Sequence, residues 1–326
     1  MTRDHKLDNG KGVLIFLVAL GHFIESITSW ETSTLRYVHT TIYSFHMPAF
    51  VFLAGITAST KINNRRIWIL AIILIIFNFA YVLPKLIQTG KWPDTPLQPH
   101  WILWFLLSLI WWQIALPHLL KARFPILTSV AAALVVGALP INGNILSIFR
   151  TFVFLPFFVA GHIYGKRLLM SIHLNYFSRL IAISLIAIIG FALYALDIST
   201  RWFYGSFGYD YFNIGLLSGA ARRAAAMVAA SISILCFISV ISPHASLLSK
   251  AGRSSLSIFL LHGFVVIFLT PHLSEFHMRY GATQSLCVAL LLSTIVVALL
   301  SVNIWGRIIM SSANSIFYLF TSNHKE

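Results

Sequence analysis

Charge is what this sequence has least of. Only 10% of its 326 residues are charged, and only 9 are acidic. An ordinary soluble domain carries about 25% charged residues, so there is too little charge here to cover a soluble surface. That excludes a cytosolic globular enzyme, a disordered chain and a coiled coil. Cysteine is nearly absent. Cys236 and Cys287 both sit in apolar runs and read as small buried hydrophobes, which leaves no disulfide framework. There is no Cys-x-x-Cys and no pair of histidines four apart, so no metal site is expected. No glycine-rich loop marks a nucleotide fold, which argues against an ATP-driven pump, and no serine sits in a nucleophile elbow. Internal repeats, low-complexity segments and paired broken helices of the transporter kind are missing too. Met1 to Lys11 is polar and carries no cleavable signal pattern, so the first apolar helix is expected to serve as an uncleaved signal.

What the chain does have is apolar length. Hydrophobic residues make up 58% of it, and the mean hydropathy is +0.83. A membrane-spanning helix needs about 20 apolar residues. Runs of that kind predict spans near 12–28, 38–59, 67–87, 101–120, 125–140, 146–165, 177–196, 219–241, 255–271 and 284–306. A β-barrel would alternate polarity within segments of about ten residues. The unbroken run Ile69-Leu70-Ala71-Ile72-Ile73-Leu74-Ile75-Ile76 excludes that. The expectation is an all-α, polytopic transmembrane bundle of about ten spans, built as one domain over residues 1–326.

The net charge of +14 comes from 23 Lys and Arg against 9 Asp and Glu. In a soluble protein that would suggest nucleic acid. Here it reads as the excess of basic residues in cytoplasmic loops, with no nucleic-acid partner. With the N-terminus inside, the inner set is Arg3, Lys6, Lys11, Lys61, Arg65, Arg66, Lys121, Arg123, Lys166, Arg167, Arg179, Lys250, Arg253, Arg307 and Lys325. The outer set is only Arg36, Lys85, Lys91, Arg201 and Arg279. This bias puts both termini in the cytoplasm. Arg222 and Arg223 fit the register poorly. Either they line a cavity, or the boundary of that span lies elsewhere. Two longer outer loops are expected, at about 88–100 with Pro93, Pro96 and Pro99, and at 197–213 with Trp202, Phe203, Tyr204, Phe207, Tyr209, Tyr211 and Phe212. The aromatics of the second read first as interfacial anchors and second as a sugar-binding surface.

Ionisable groups inside a span are costly and mark functional sites by default. Six stand out: His22, Glu25, His46, Arg150, His162 and His262. His22 and Glu25 are three apart and share a helix face. Lys11 begins the same helix about 16 Å below His22, at 1.5 Å per residue. A negatively charged cytoplasmic cofactor would meet Lys11 while its reactive end approaches His22. His46 precedes Pro48, which frees a backbone carbonyl and bends the helix. His262 precedes Gly263, which permits close backbone approach. His162 lies beside a cytoplasmic loop and reads as a helix-to-helix hydrogen bond. Arg150 either joins the site or snorkels to the interface.

Several stretches, in order, resemble the acyltransferase-3 family of integral membrane acyltransferases. Asp8-Asn9-Gly10-Lys11-Gly12 and the apolar run to Gly21-His22 resemble its first helix, in which a basic residue is followed after ten positions by histidine. Lysine at the basic position is similar to the fucose 4-O-acetylase-like branch; many members carry arginine. Phe45-His46-Met47-Pro48 through Ala54-Gly55 resembles the second-helix motif, with Ala54 where serine is common. Trp104-Phe105-Leu106, the stretch from Arg150 to Phe158 with Gly161, and Gly252 through His262 resemble three further motifs. The resemblance covers about 250 residues.

That resemblance implies transfer of an acyl group, most often acetyl, from cytoplasmic acyl-CoA to a carbohydrate hydroxyl, in the bacterial inner membrane. Acetyl-CoA is then a substrate, and no cofactor is held permanently. The catalytic residues it implies are His22, His46 and Glu25: His22 as general base or transient acyl carrier, His46 orienting the reactants or donating to the oxyanion, and Glu25 fixing a histidine tautomer. Lys11 and Arg150 would hold CoA phosphates, while His262 and Trp104 would contact substrate. The competing readings are a transporter or flippase for a lipid-linked glycan, and a scaffolding subunit.

Overall fold

The computed structural model describes residues 4–28, 33–91, 97–172 and 175–322. Arg3 and Lys325 of the inner charge set, and Pro93 and Pro96 of the first outer loop, lie outside them. Among the described residues there are helices and turns and no strands. In chain order the helices are α1 (His5–Thr28), α2 (Ser33–Ile56), α3 (Asn64–Thr89), α4 (Trp104–Leu119), α5 (Pro125–Val136), α6 (Ile148–Ser171), α7 (Tyr176–Ala195), the one-turn α8 (Arg201–Tyr204), α9 (Leu216–Val240), α10 (Leu247–Arg253), α11 (Ser255–Leu300) and α12 (Asn303–Ser322).

Seven of the described helices are long and apolar enough to cross a membrane by length and composition: α1, α3, α4 (taken with the turn at Trp101–Leu103), α6, α7, α9 and α11. The two spans expected at 255–271 and 284–306 fall in two helices within Ser255–Leu300, divided by non-helical backbone at Gly281. Its φ of 81° is one that glycine adopts without strain. The fifth expected span is only 12 residues, Pro125–Val136. Helix α12 was not anticipated as a separate element. It turns off after Leu300 and packs back on α3.

The polar start of the chain is helical, earlier than its composition suggests, because its polar groups find partners. Lys6 Nζ donates to the carbonyls of Leu169 (3.0 Å) and Ile172 (2.8 Å) at the end of α6, where a cation suits the unpaired carbonyls. Asn9 Nδ2 donates to the carbonyls of Ser242 and His244, and its Oδ1 accepts from Ser246 and Ser249. All of that amide is used to fasten α1 to the approach of α10. Gly252 lies against the Asp8 carbonyl and Gly12 against the Leu248 backbone, so side chains at either would collide with main chain. The Asn9-to-Gly12 stretch is thus a helix-docking device before it is anything else.

A second contact of this kind joins α2 to α6. A Cβ at Gly55 would meet the Phe158 carbonyl, and one at Gly161 would meet the Phe52 carbonyl. The two backbones touch reciprocally, as small residues in membrane helices allow. Around these contacts lies the main core, with Leu14, Phe23, Leu53, Trp112, Phe158 and Leu260 almost wholly buried.

The aromatic loop before α9, expected to anchor at the interface, packs largely inward, with Tyr211 exposed. Trp202, Phe203 and Tyr209 are buried. Trp202 stacks on Phe212 at 4.1 Å, and Tyr209 donates to the Leu134 carbonyl at 2.6 Å. Arg223 faces this packing, donating to the Phe207 carbonyl at 2.9 Å with its guanidinium over the Tyr209 ring, while Arg222 is exposed. The arginine pair therefore splits between an internal tie and the surface.

Candidate active site

Helix α1 carries the first part of the site. His22 Nδ1 lies 3.2 Å from Glu25 Oε2, the contact that three-residue spacing on a helix permits. A carboxylate only accepts, so Nδ1 carries the proton and donates it, leaving the Nε2 lone pair free to act as a base. The same Glu25 oxygen accepts from the Tyr43 hydroxyl of α2 at 2.9 Å. Gly21 lets Tyr43 come this close, because a Cβ there would lie 2.9 Å from its ring.

Tyr43 is itself clamped among rings. It lies 4.1 Å from His39, 4.7 Å from His46 and 4.8 Å from Tyr204 between ring centroids. Burial pushes the Tyr204 phenol well above its ordinary range, and the neighbouring Tyr43 and Glu25 add to it. Tyr204 therefore stays protonated. Arg150 reaches this group from α6. Its Nε donates to the Tyr204 carbonyl at 3.2 Å, and its guanidinium lies 5.1 Å over the Trp104 ring.

Two more histidines complete the cluster. His46 Nδ1 lies 2.8 Å from the Ile42 carbonyl, and His262 Nδ1 lies 2.8 Å from the Ile258 carbonyl. Each donates to the turn below, so each presents Nε2 as an acceptor. His262 is fully buried and its Nε2 has no hydrogen-bond partner among the described residues. Its ring stacks on His22 with centroids 5.5 Å apart.

The structure adds residues that no sequence pattern singles out. Trp101 lies edge-on to His22 at 4.7 Å. Its φ of 38° is left-handed, a conformation that costs a bulky residue about 1–3 kcal/mol and gathers at functional sites. Nothing in an isolated sequence reports a backbone angle. Tyr43 was hidden for another reason: a tyrosine in a span is ordinary, and its partner Glu25 lies on a different helix.

Lys11 belongs to a separate feature, a cavity of about 550 Å³ at the other end of α1. Its mouth carries Lys11, Arg65, Arg66 and Asn63. Asn63 caps α3 by accepting from Arg66 N at 3.0 Å, which sets the two arginines on the first turn. Arg65 also donates to Asn314 and Tyr318 of α12. The inner wall is apolar, with Phe50, Phe105 and Phe259. In the sequence, Arg65 and Arg66 read only as loop charges.

The expected residues thus fall into two places. His22, Glu25, His46, His262, Arg150 and Trp104 gather at one level with Tyr43 and Trp101. Lys11 sits at the cavity mouth, and Arg150 is not among the residues lining that cavity. His162 departs from its expected hydrogen bond: its Nδ1 has no partner among the described residues.

A family model described as an acyltransferase domain matches residues 4–302. The chain belongs to the acyltransferase-3 family. It is similar to the nodulation protein NolL of Sinorhizobium fredii, 27% identical over 191 residues. That match covers 51% of this chain and 50% of the relative, so it spans about half the length of the protein it resembles. No solved structure matches the chain. In this multi-pass family member, the first-helix motif divides its labour: Asn9 and Gly12 dock α1, Lys11 faces the cavity, and His22 faces the histidine cluster.

Proposed function

We propose that this protein is a membrane O-acyltransferase that moves an acetyl group from cytoplasmic acetyl-CoA to a hydroxyl of a cell-surface or periplasmic carbohydrate, in a bacterial inner membrane. The observation that carries the reading is the arrangement along α1. The His22–Glu25 pair stands about 16 Å of helix above Lys11, which lines a cavity together with Arg65 and Arg66.

A CoA nucleotide is polyanionic, and Lys11, Arg65 and Arg66 supply charge-assisted donors for it. The rest of the lining, which includes Thr57, Ser255 and Asn314 beside apolar side chains, offers hydrogen-bond partners to the amides of the pantetheine arm. The thioester would then approach His22. As the sugar oxygen attacks the thioester carbonyl, His22 Nε2 takes the hydroxyl proton and Glu25 stabilises the imidazolium through Nδ1. The tetrahedral intermediate collapses, the C–S bond breaks, and the CoA thiolate takes the proton back from Nε2. The products are the O-acetyl ester and CoA, and His22 returns neutral. Arg150 is available for the developing oxyanion or for the acceptor. The excess of basic residues at the Lys11 end supports a cytoplasmic donor.

The test is transfer of label. Purified protein is incubated with [14C]acetyl-CoA and a carbohydrate acceptor, with His22→Ala run beside it. Label in the sugar that disappears with His22→Ala is the expected result. Movement of a glycan across the bilayer with no label transferred would establish a transporter instead. Mass spectrometry of surface glycans with and without the protein identifies the acceptor by its acetyl mass shift. A nodulation-type oligosaccharide is one candidate, since the relative is a nodulation protein.

A further inference from the structure

The cationic cavity does not reach the histidines. It is lined by Phe50 on α2, Phe105 on α4 and Phe259 on α11, but not by His22, His46 or His262. These three phenylalanines are buried and touch in series. Phe50 meets Phe105 edge-on at 5.5 Å, and Phe105 meets Phe259 at 5.5 Å.

Each outer member is coupled to a histidine above it. His46 is one turn before Phe50 on α2. His262 is one turn after Phe259 on α11, with ring centroids 6.4 Å apart. The row of rings therefore lies between the cavity lining and the histidine cluster, and a group passing from one to the other meets it.

We propose that Phe50, Phe105 and Phe259 form an aromatic gate that sets which acyl group reaches His22, admitting acetyl and rejecting long-chain acyl groups. The inference rests on the acyl-CoA reading above. Edge-to-face pairs hold their geometry, and a close-packed interior does not yield volume gradually. A two-carbon acyl group needs only a small displacement of one ring. An eight-carbon chain needs the series to part.

The experiment uses the full-length protein in detergent. Binding of CoA, acetyl-CoA and octanoyl-CoA is measured by calorimetry for the wild type, Phe105→Leu and Phe259→Leu. Release of CoA thiol from each donor is followed with methyl fucoside as acceptor. Leucine keeps the sites apolar, and a melting scan confirms folding. The wild type is expected to bind octanoyl-CoA at least about tenfold more weakly than acetyl-CoA. The leucine variants should narrow that gap by a similar factor.

Equal binding of the two donors by the wild type overturns the gate. So does an unchanged preference in both folded variants. If the wild type binds neither CoA nor acetyl-CoA, the donor reading itself falls and the gate falls with it. CoA binding with no chain-length discrimination removes the gate alone.

Discussion

The Nδ1 atom of His22 and the Oε2 atom of Glu25 lie 3.2 Å apart on one turn of α1, and Tyr43 donates to that same oxygen from α2. The carboxylate holds the imidazole in one tautomer and the phenol holds the carboxylate. Glu25→Gln keeps the shape but offers an amide that can hydrogen-bond either tautomer. Acyl transfer should fall at least about 100-fold, in the range acid–base catalysis supplies, with acetyl-CoA affinity unchanged. Tyr43→Phe removes one hydrogen bond worth about 0.5–1.5 kcal/mol, so its loss should be smaller, roughly two- to tenfold. Steady-state kinetics with labelled acetyl-CoA measures both. A Glu25→Gln enzyme of full activity would remove the dyad from the mechanism.

Lys11 gives a prediction of the opposite kind. Its side chain shares the cavity mouth with Arg65 and Arg66, away from the histidines. Lys11→Ala should weaken acetyl-CoA binding by roughly 10- to 100-fold, the worth of a charge-assisted hydrogen bond. Turnover at saturating donor should stay near wild type. The wild-type affinity should also decline as salt is raised, and decline less steeply in the variant. Titration calorimetry at two ionic strengths distinguishes this from a helix that has shifted.

How far the sequence discloses these features depends on what kind of information each one is. The spans are legible because apolar length is a property of a single segment. His22 and Glu25 are legible together because helical spacing alone brings them to one face. Tyr43 is not, since its meeting with Glu25 depends on how α1 packs on α2. Trp101 is marked by a backbone angle, and Arg65 and Arg66 by a cavity built from several helices, neither of which any local pattern encodes. The aromatic segment at Trp202–Phe212 was misleading for a related reason. Its composition suits a membrane interface equally well, and only the ring-to-ring contacts show that it folds inward. The break at Gly281 falls in the gap between the two expected spans, where a φ of 81° that glycine adopts without strain separates two helices.

The reciprocal contact of Gly55 with α6 and Gly161 with α2 carries a stability prediction. A valine at either position must push main chain away from main chain, and overpacking of this kind costs about 1–3 kcal/mol or more. Gly161→Val should lower the melting temperature in detergent and reduce the yield of monodisperse protein. Gly306→Val, where a Cβ meets nothing within 4 Å, serves as the control and should melt near the wild type. Equal melting of the two would show that α2 and α6 have room to spare.

Arg150 separates two accounts of one residue. Resemblance alone pairs it with Lys11 as a phosphate ligand. Its position instead places it over Trp104 and on the Tyr204 carbonyl, beside the Glu25–Tyr43 pair. A lysine would keep the charge but lose the planar stack and the fork of donors. Arg150→Lys should therefore leave acetyl-CoA affinity within about twofold of wild type while turnover falls about tenfold or more, an effect of 1.4 kcal/mol per decade on the barrier. The reverse outcome, weaker donor binding with turnover preserved, would return Arg150 to the donor phosphates. It would also require a path from the cavity mouth to α6 that the closed row of Phe50, Phe105 and Phe259 does not provide.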